Sequence, residues 1–159
     1  MSFAAPIRES MRVLVVDDSV EDQALLRHAF RRFEDQIHLS FCSGGTDALR
    51  YFSKQAPYAN ESTPDVCLLD IQMPGMDGFE VLSWLKADPA TCRIPVIMYS
   101  NSDQPDDVSR AYEAQASSFI RKPASVNELN ELADQLLHLW MHYVRFPDAS
   151  TADKPASSA

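Results

Sequence analysis

The sequence is short of basic residues. Lysine and arginine number 14 against 23 aspartates and glutamates, a formal net charge of −9. Phosphate-backbone recognition needs a basic footprint, so this balance argues against a nucleic-acid partner. It argues equally against docking on an anionic membrane. No apolar run approaches the roughly 18 residues that a membrane span needs. Met1–Ser10 lacks the apolar stretch of a secretory signal. Cysteine is scarce: Cys42, Cys67 and Cys92 make an odd count of three, with no close metal-type spacing. They predict neither a disulfide framework nor a zinc site, and read as small buried hydrophobes in a reduced, cytoplasmic protein. There is no internal repeat, and a chain of 159 residues leaves no room for a second folded domain.

What is present is ordinary globular material. Hydrophobic residues are 45% and charged residues 23%, enough to bury a core without staples. The expected organisation is a leader over 1–10, a folded domain over 11–146 and a disordered tail over 147–159. The stretch DASTADKPASSA has no large apolar side chain.

Inside the domain, strand and helix signals alternate. RVLVV (12–16) is a short β-branched run of the kind buried on both faces of a sheet. Ser19 with Asp22 resembles a capping box, and Leu25, Leu26, Ala29, Phe30 and Phe33 form an apolar helical stripe. Residues 37–42 read as a second strand, followed by Gly44-Gly45 and a helix near 46–55. Pro57 and Pro64 keep 56–64 out of helix. VCLL (66–69) is a third strand ending at Asp70. A turn-rich loop over 73–78 follows, in which Asp77 reads as a turn residue. The next helix points Val81, Leu82 and Leu85 inward. A fourth strand over 96–99 ends at Ser100. Pro105 opens a helix carrying Val108, Ala111 and Tyr112. Residues 118–121 form a fifth strand before Lys122-Pro123, and Ser125 with Glu128 opens a last helix toward Val144. Five strand–helix units imply an α/β fold, a parallel sheet with helices on both faces and right-handed crossovers.

In such sheets, sites form beyond the carboxyl ends of the strands. The strand ends carry Asp17-Asp18, Asp70, Ser100 and Lys122. Each has a bland reading alone: a helix cap, a strand-end hydroxyl, a solvated charge. Together they place three carboxylates, a hydroxyl and an ammonium on one edge. Clustered carboxylates repel unless a cation intervenes, and Mg²⁺ suits such an oxygen set. Lys122 and Ser100 supply what a phosphoryl group needs, and Asp70 is placed to act as nucleophile.

VLVVDDS (13–19), LLDIQMPGMDGFEVL (68–82), PVIMYS (95–100) and FIRKP (119–123) together resemble the receiver domain of two-component response regulators, over about residues 11–144. The resemblance implies a flavodoxin-like, CheY-like doubly wound sheet in strand order 2-1-3-4-5. It implies Asp70 as phosphoacceptor in a phosphorelay. Mg²⁺ would be held by Asp17, Asp18, Asp70 and the backbone carbonyl of Gln72. Lys122 would pair with a phosphoryl oxygen, with a cis bond to Pro123. Ser100 would follow the phosphoryl group and Phe119 would be the switch aromatic. Gln72 and Asn101 would tune the lifetime of the phosphorylated state. One departure stands out: where the family has Gly-Ala before the switch aromatic, this chain has Gln115-Ala116, so Gln115 must adopt a left-handed conformation or end its helix differently. The longer tract over 53–64 and the segment 85–108 resemble single-domain regulators paired with phytochrome-type histidine kinases, including those of bacteriophytochromes.

The last helix carries more apolar residues than one face holds. Leu129, Leu132, Leu136 and Tyr143 are assigned to the sheet, with Leu139 beside them. Leu137, Trp140, Met141, Val144 and Phe146 are then left for a second chain, predicting a homodimer through this region. Phosphorylation is expected to tune that assembly through the 100–107 loop and Phe119. His138 and His142 stand at i, i+4, a metal-ligand spacing, but no carboxylate or cysteine is expected to complete such a site.

The leading expectation is a stand-alone phosphoacceptor switch served by a sensor histidine kinase. It catalyses only its own phosphorylation and dephosphorylation, with no nucleic-acid or membrane partner. The alternatives are a docking or dimerisation module with an idle site and, further off, a Mg²⁺-dependent phosphohydrolase. The last is disfavoured because Gln72 occupies the position where an acid/base aspartate is needed.

Overall fold

β1 (Met11–Val16) turns only Arg12 to solvent, as a strand covered on both faces does. The computed structural model describes residues 8–147. Residues 1–7 of the predicted leader and the tail from 148 onward lie outside the described residues. β2 (Ile37–Cys42), β3 (Val66–Leu69), β4 (Val96–Ser100) and β5 (Ser118–Arg121) complete a parallel sheet in the order β2-β1-β3-β4-β5. The expected doubly wound topology is the one observed.

Two cores flank the sheet. On one face α2 (Gly45–Phe52), α3 (Gly78–Ala87) and α4 (Pro105–Glu113) cover Leu14, Val16, Leu69, Val96 and Met98. On the other, α1 (Val20–Phe30) and α5 (Val126–His142) cover Val13, Val15, Leu68 and Ile97. Strand residues alternate between the cores, so central β3 is apolar throughout and β1 and β4 nearly so, while the edge strands β2 and β5 carry polar residues. Every fully buried leucine or valine contributes about 1.5–3 kcal/mol.

Caps set where the helices begin. Ser19 accepts from the Asp22 N–H at 3.2 Å, and Ser125 accepts from the Glu128 N–H at the same distance. Asp77, expected as a turn residue, closes a full capping box with Glu80 at the start of α3. α2 stops at Phe52, before the expected Gln55. Lys54 turns left-handed (φ 56°), and its N–H and that of Gln55 close back on Tyr51 and Arg50. The same device ends α4. Gln115 sits at φ 72° while its N–H donates to the Tyr112 carbonyl and the Ala116 N–H donates to that of Ala111. Gln115 thus adopts the strained conformation that the sequence left open.

The packing phase of α5 differs from expectation. Leu129, Ala133, Leu137, Trp140 and Met141 are its buried residues, with Trp140 3% exposed. Val144 and Phe146 pack against the same core. Leu139 and Tyr143 are 47% and 68% exposed. Of the side chains expected to await a second chain, Leu137, Trp140 and Met141 are therefore interior to one chain, while Val144 and Phe146 are partly buried. The cause is Ala133: counting it as core rotates the buried stripe about a quarter turn from the one drawn through the leucines. Leu25, also expected in a core stripe, is exposed, as is Tyr112 of α4.

Candidate functional site

Four strand ends bring the predicted residues together. Asp17 and Asp70 follow β1 and β3, Ser100 ends β4 and Lys122 follows β5. All four are buried, whereas Asp18 is exposed. One ligand oxygen each from Asp17, Asp18 and Asp70 lies within 4.8 Å of the others. Among the described residues no other group of three acidic, histidine or cysteine side chains comes so close. The set is all oxygen and trianionic, with one water-facing member, which fits a hard divalent cation that retains waters. Such a cation would neutralise repulsion among these carboxylates and the charge of a phosphoryl group beside them.

Local structure fixes the donors. Asp17 Oδ1 accepts from the Ser19 N–H at 2.9 Å, and Asp70 Oδ1 accepts from the Ile71 N–H at 2.8 Å. That leaves each Oδ2 toward Lys122. Lys122 Nζ donates to Asp17 Oδ2 at 2.8 Å, to Asp22 Oδ2 at 2.7 Å and to Asp70 Oδ2 at 3.3 Å. Its own N–H donates to the Ser100 carbonyl at 2.8 Å, which ties the end of β5 to the end of β4. Ser100 Oγ accepts from the Ser102 N–H at 3.2 Å, and Ser102 Oγ donates to Asp107 at 2.6 Å. The β4–α4 loop is thereby tied to the hydroxyl expected to move. Phe119 is half-buried against the α2–α3–α4 core. Gln72 and Asn101 are exposed.

The charges shape one another. Burial pushes the Asp70 carboxyl above its usual range; Lys122 opposes this and Asp17 adds to it. Burial alone would lower the Lys122 ammonium, but hydrogen bonds to Asp17 and Asp22 and the charge of Asp70 outweigh it and hold Lys122 above its usual value. Burial carries the Tyr99 hydroxyl up to about 12, and its ring lies 5.7 Å from Lys122 Nζ.

Residues 13–134 match the family of the response regulator receiver domain. The chain belongs to that family. Receiver domains are phosphoacceptor switches rather than conventional enzymes, and they bind a divalent metal at their acidic pocket. Response regulator Rcp1 of Synechocystis is 29% identical over 137 residues, covering 86% of this chain and 93% of Rcp1. The phosphorylated cyanobacterial phytochrome response regulator RcpA superposes with a TM-score of 0.81 at 29% identity, covering 87% of this chain and 99% of that one. The Mn²⁺-bound form of Rcp1 gives 0.79 at 28% identity, with the same coverage. The bacteriophytochrome response regulator AtBRR gives 0.68 at 30%, covering 86% and 99%. The receiver is thus Rcp1-like over most of both chains, with phytochrome-linked homologues. Among the described residues no helix is long and apolar enough to cross a membrane.

Two site details differ from expectation. The cis peptide among the described residues is Ala56–Pro57. Lys122–Pro123 is therefore trans, the isomer that X–Pro bonds ordinarily favour by roughly 0.5–1 kcal/mol. The second is Asp22, which the sequence reading leaves as a helix cap. Its backbone N–H does serve the cap, but its carboxylate reaches Lys122. Gly78 also belongs to the site's frame. A Cβ there would fall 2.0 Å from the Asp70 carbonyl, so the start of α3 lies against the Asp70–Ile71 backbone only because residue 78 has no side chain. The pair His138 and His142 stays outside the chemistry. Asp134, one turn upstream, is bound to Arg32 at 2.8 Å.

Proposed function

We propose that Asp70 accepts a phosphoryl group from a phosphohistidine on a sensor histidine kinase, with Mg²⁺ held by Asp17, Asp18, Asp70 and the Gln72 carbonyl. The P–N bond of the phosphohistidine breaks as a P–O bond to the Asp70 carboxylate forms, and the imidazole leaves. The single observation that carries this reading is the Lys122 ammonium 3.3 Å from the Asp70 carboxylate, inside a trianionic cluster. Lys122 compensates the phosphoryl charge, and positioning with charge neutralisation is most of what phosphoryl transfer asks of a protein. Ser100 Oγ turns to a phosphoryl oxygen, releases the Ser102 N–H and frees the β4–α4 loop, while Phe119 repacks. Gln72 and Asn101 stand at the rim and govern hydrolysis. Similarity to RcpA and AtBRR supports a phytochrome-type kinase as donor and a cytoplasmic site of action.

The test is intact mass after incubation with Mg²⁺ and a small acyl-phosphate donor. One added phosphoryl group is expected, absent from Asp70→Asn and absent with EDTA. An unlabelled wild-type protein, or label retained on Asp70→Asn, overturns the assignment.

A further inference from the structure

Lys122 has three N–H donors, and three carboxylates take them. To meet a phosphoryl oxygen it must give one up. Asp17 and Asp70 belong to the acidic cluster suited to the cation, and Asp22 does not. Asp22 makes the shortest of the three contacts, 2.7 Å, from a side chain 28% exposed, whereas that of Asp17 is 1% exposed. A partly hydrated carboxylate loses a partner at low cost, because water replaces the lost bond; a buried one does not. The placement is also specific. Asp22 is the third residue of α1, where an acid ordinarily returns to the N-cap N–H. Here the Ser19 N–H is taken by Asp17 Oδ1, and the Asp22 carboxylate points to Lys122 instead.

From this we infer that Asp22 is a resting-state latch on Lys122, a positioning residue whose place on the ammonium is taken by the phosphoryl group. The inference rests on Asp70 being the phosphoacceptor. Asp22 stabilises the unmodified protein and so competes with phosphorylation. Losing its charge favours any state in which Lys122 serves a phosphoryl oxygen.

The test is the equilibrium affinity for beryllofluoride, a phosphoryl mimic, at fixed saturating Mg²⁺. Wild type, Asp22→Asn and Asp22→Glu are compared, each checked for a cooperative melt. Asp22→Asn keeps the helix start, since the Ser19 cap takes the backbone N–H of residue 22. Asp22→Asn is expected to bind roughly two- to fivefold tighter, the range for losing a partly exposed charged contact. Asp22→Glu, which keeps the charge, should return toward wild type. The gain from Asp22→Asn should shrink at high salt, because the latch is partly exposed. Equal or weaker binding by Asp22→Asn, with wild type binding normally, overturns the latch and leaves Asp70 as acceptor. No binding by wild type overturns the acceptor reading, and the latch falls with it.

Discussion

Gln115 holds φ 72° because α4 must end and the chain must drop into β5 within four residues. An L-side chain in that conformation crowds its own carbonyl, at a cost of about 1 kcal/mol that glycine avoids. Glycine also adds unfolded-state entropy, which offsets part of the gain. Gln115→Gly should therefore raise stability by about 0.5 kcal/mol, seen as a higher urea midpoint with unchanged m-value. A lower midpoint would mean that the Gln115 side chain makes a stabilising contact that outweighs the strain. At this scale the site was readable where one residue has one role. Asp17, Asp70, Ser100 and Lys122 stand at strand ends, and the fold rule collects strand ends. Asp22 was not readable, since Ser-x-x-Asp already has a complete local meaning as a helix start.

At the scale of elements, strands were the easier half. The three central ones are short apolar runs bounded by polar or turn residues, and burial on both faces removes any question of which side faces in. Helices must choose a face. For α3 the choice is plain, because Val81, Leu82 and Leu85 are its branched aliphatic residues and all are buried. For α5, two stripes overlap: one through leucines, the other through Ala133, Leu137, Trp140 and Met141. The second is the fully buried one, with Ala133 at its centre, while Leu132 and Leu136 of the first pack partly buried at its edge. Truncation separates the two phases. Trp140→Ala should cost about 3–5 kcal/mol, as buried aromatic deletions do, while Leu139→Ala should stay within about 1 kcal/mol. Comparable losses from the two variants, measured by urea unfolding, would place α5 in the other phase.

For the whole molecule, the site is a defect that the fold tolerates. Three carboxylates share one edge, and one ammonium answers them. Burial raises the Asp70 pKa above its unfolded value, so the folded state binds its proton more tightly. The associated stability is present below the unfolded pKa and is lost as pH rises through the folded one. At neutral pH the ionised Asp70 is therefore a net burden in metal-free protein. Lys122 would not be stranded by its removal, since its contacts to Asp17 and Asp22 are the shorter ones. Metal-free Asp70→Asn should accordingly melt at a higher temperature than wild type at pH 7. The gap should narrow toward pH 4, where the wild-type carboxyl keeps its proton. Millimolar Mg²⁺ should raise the wild-type Tm by mass action and leave Asp70→Asn nearly unmoved. If Asp70→Asn is less stable than wild type in EDTA, Asp70 is held chiefly by Lys122, and the switch begins from a closed ion pair rather than from a carboxylate poised to take a cation and a phosphoryl group.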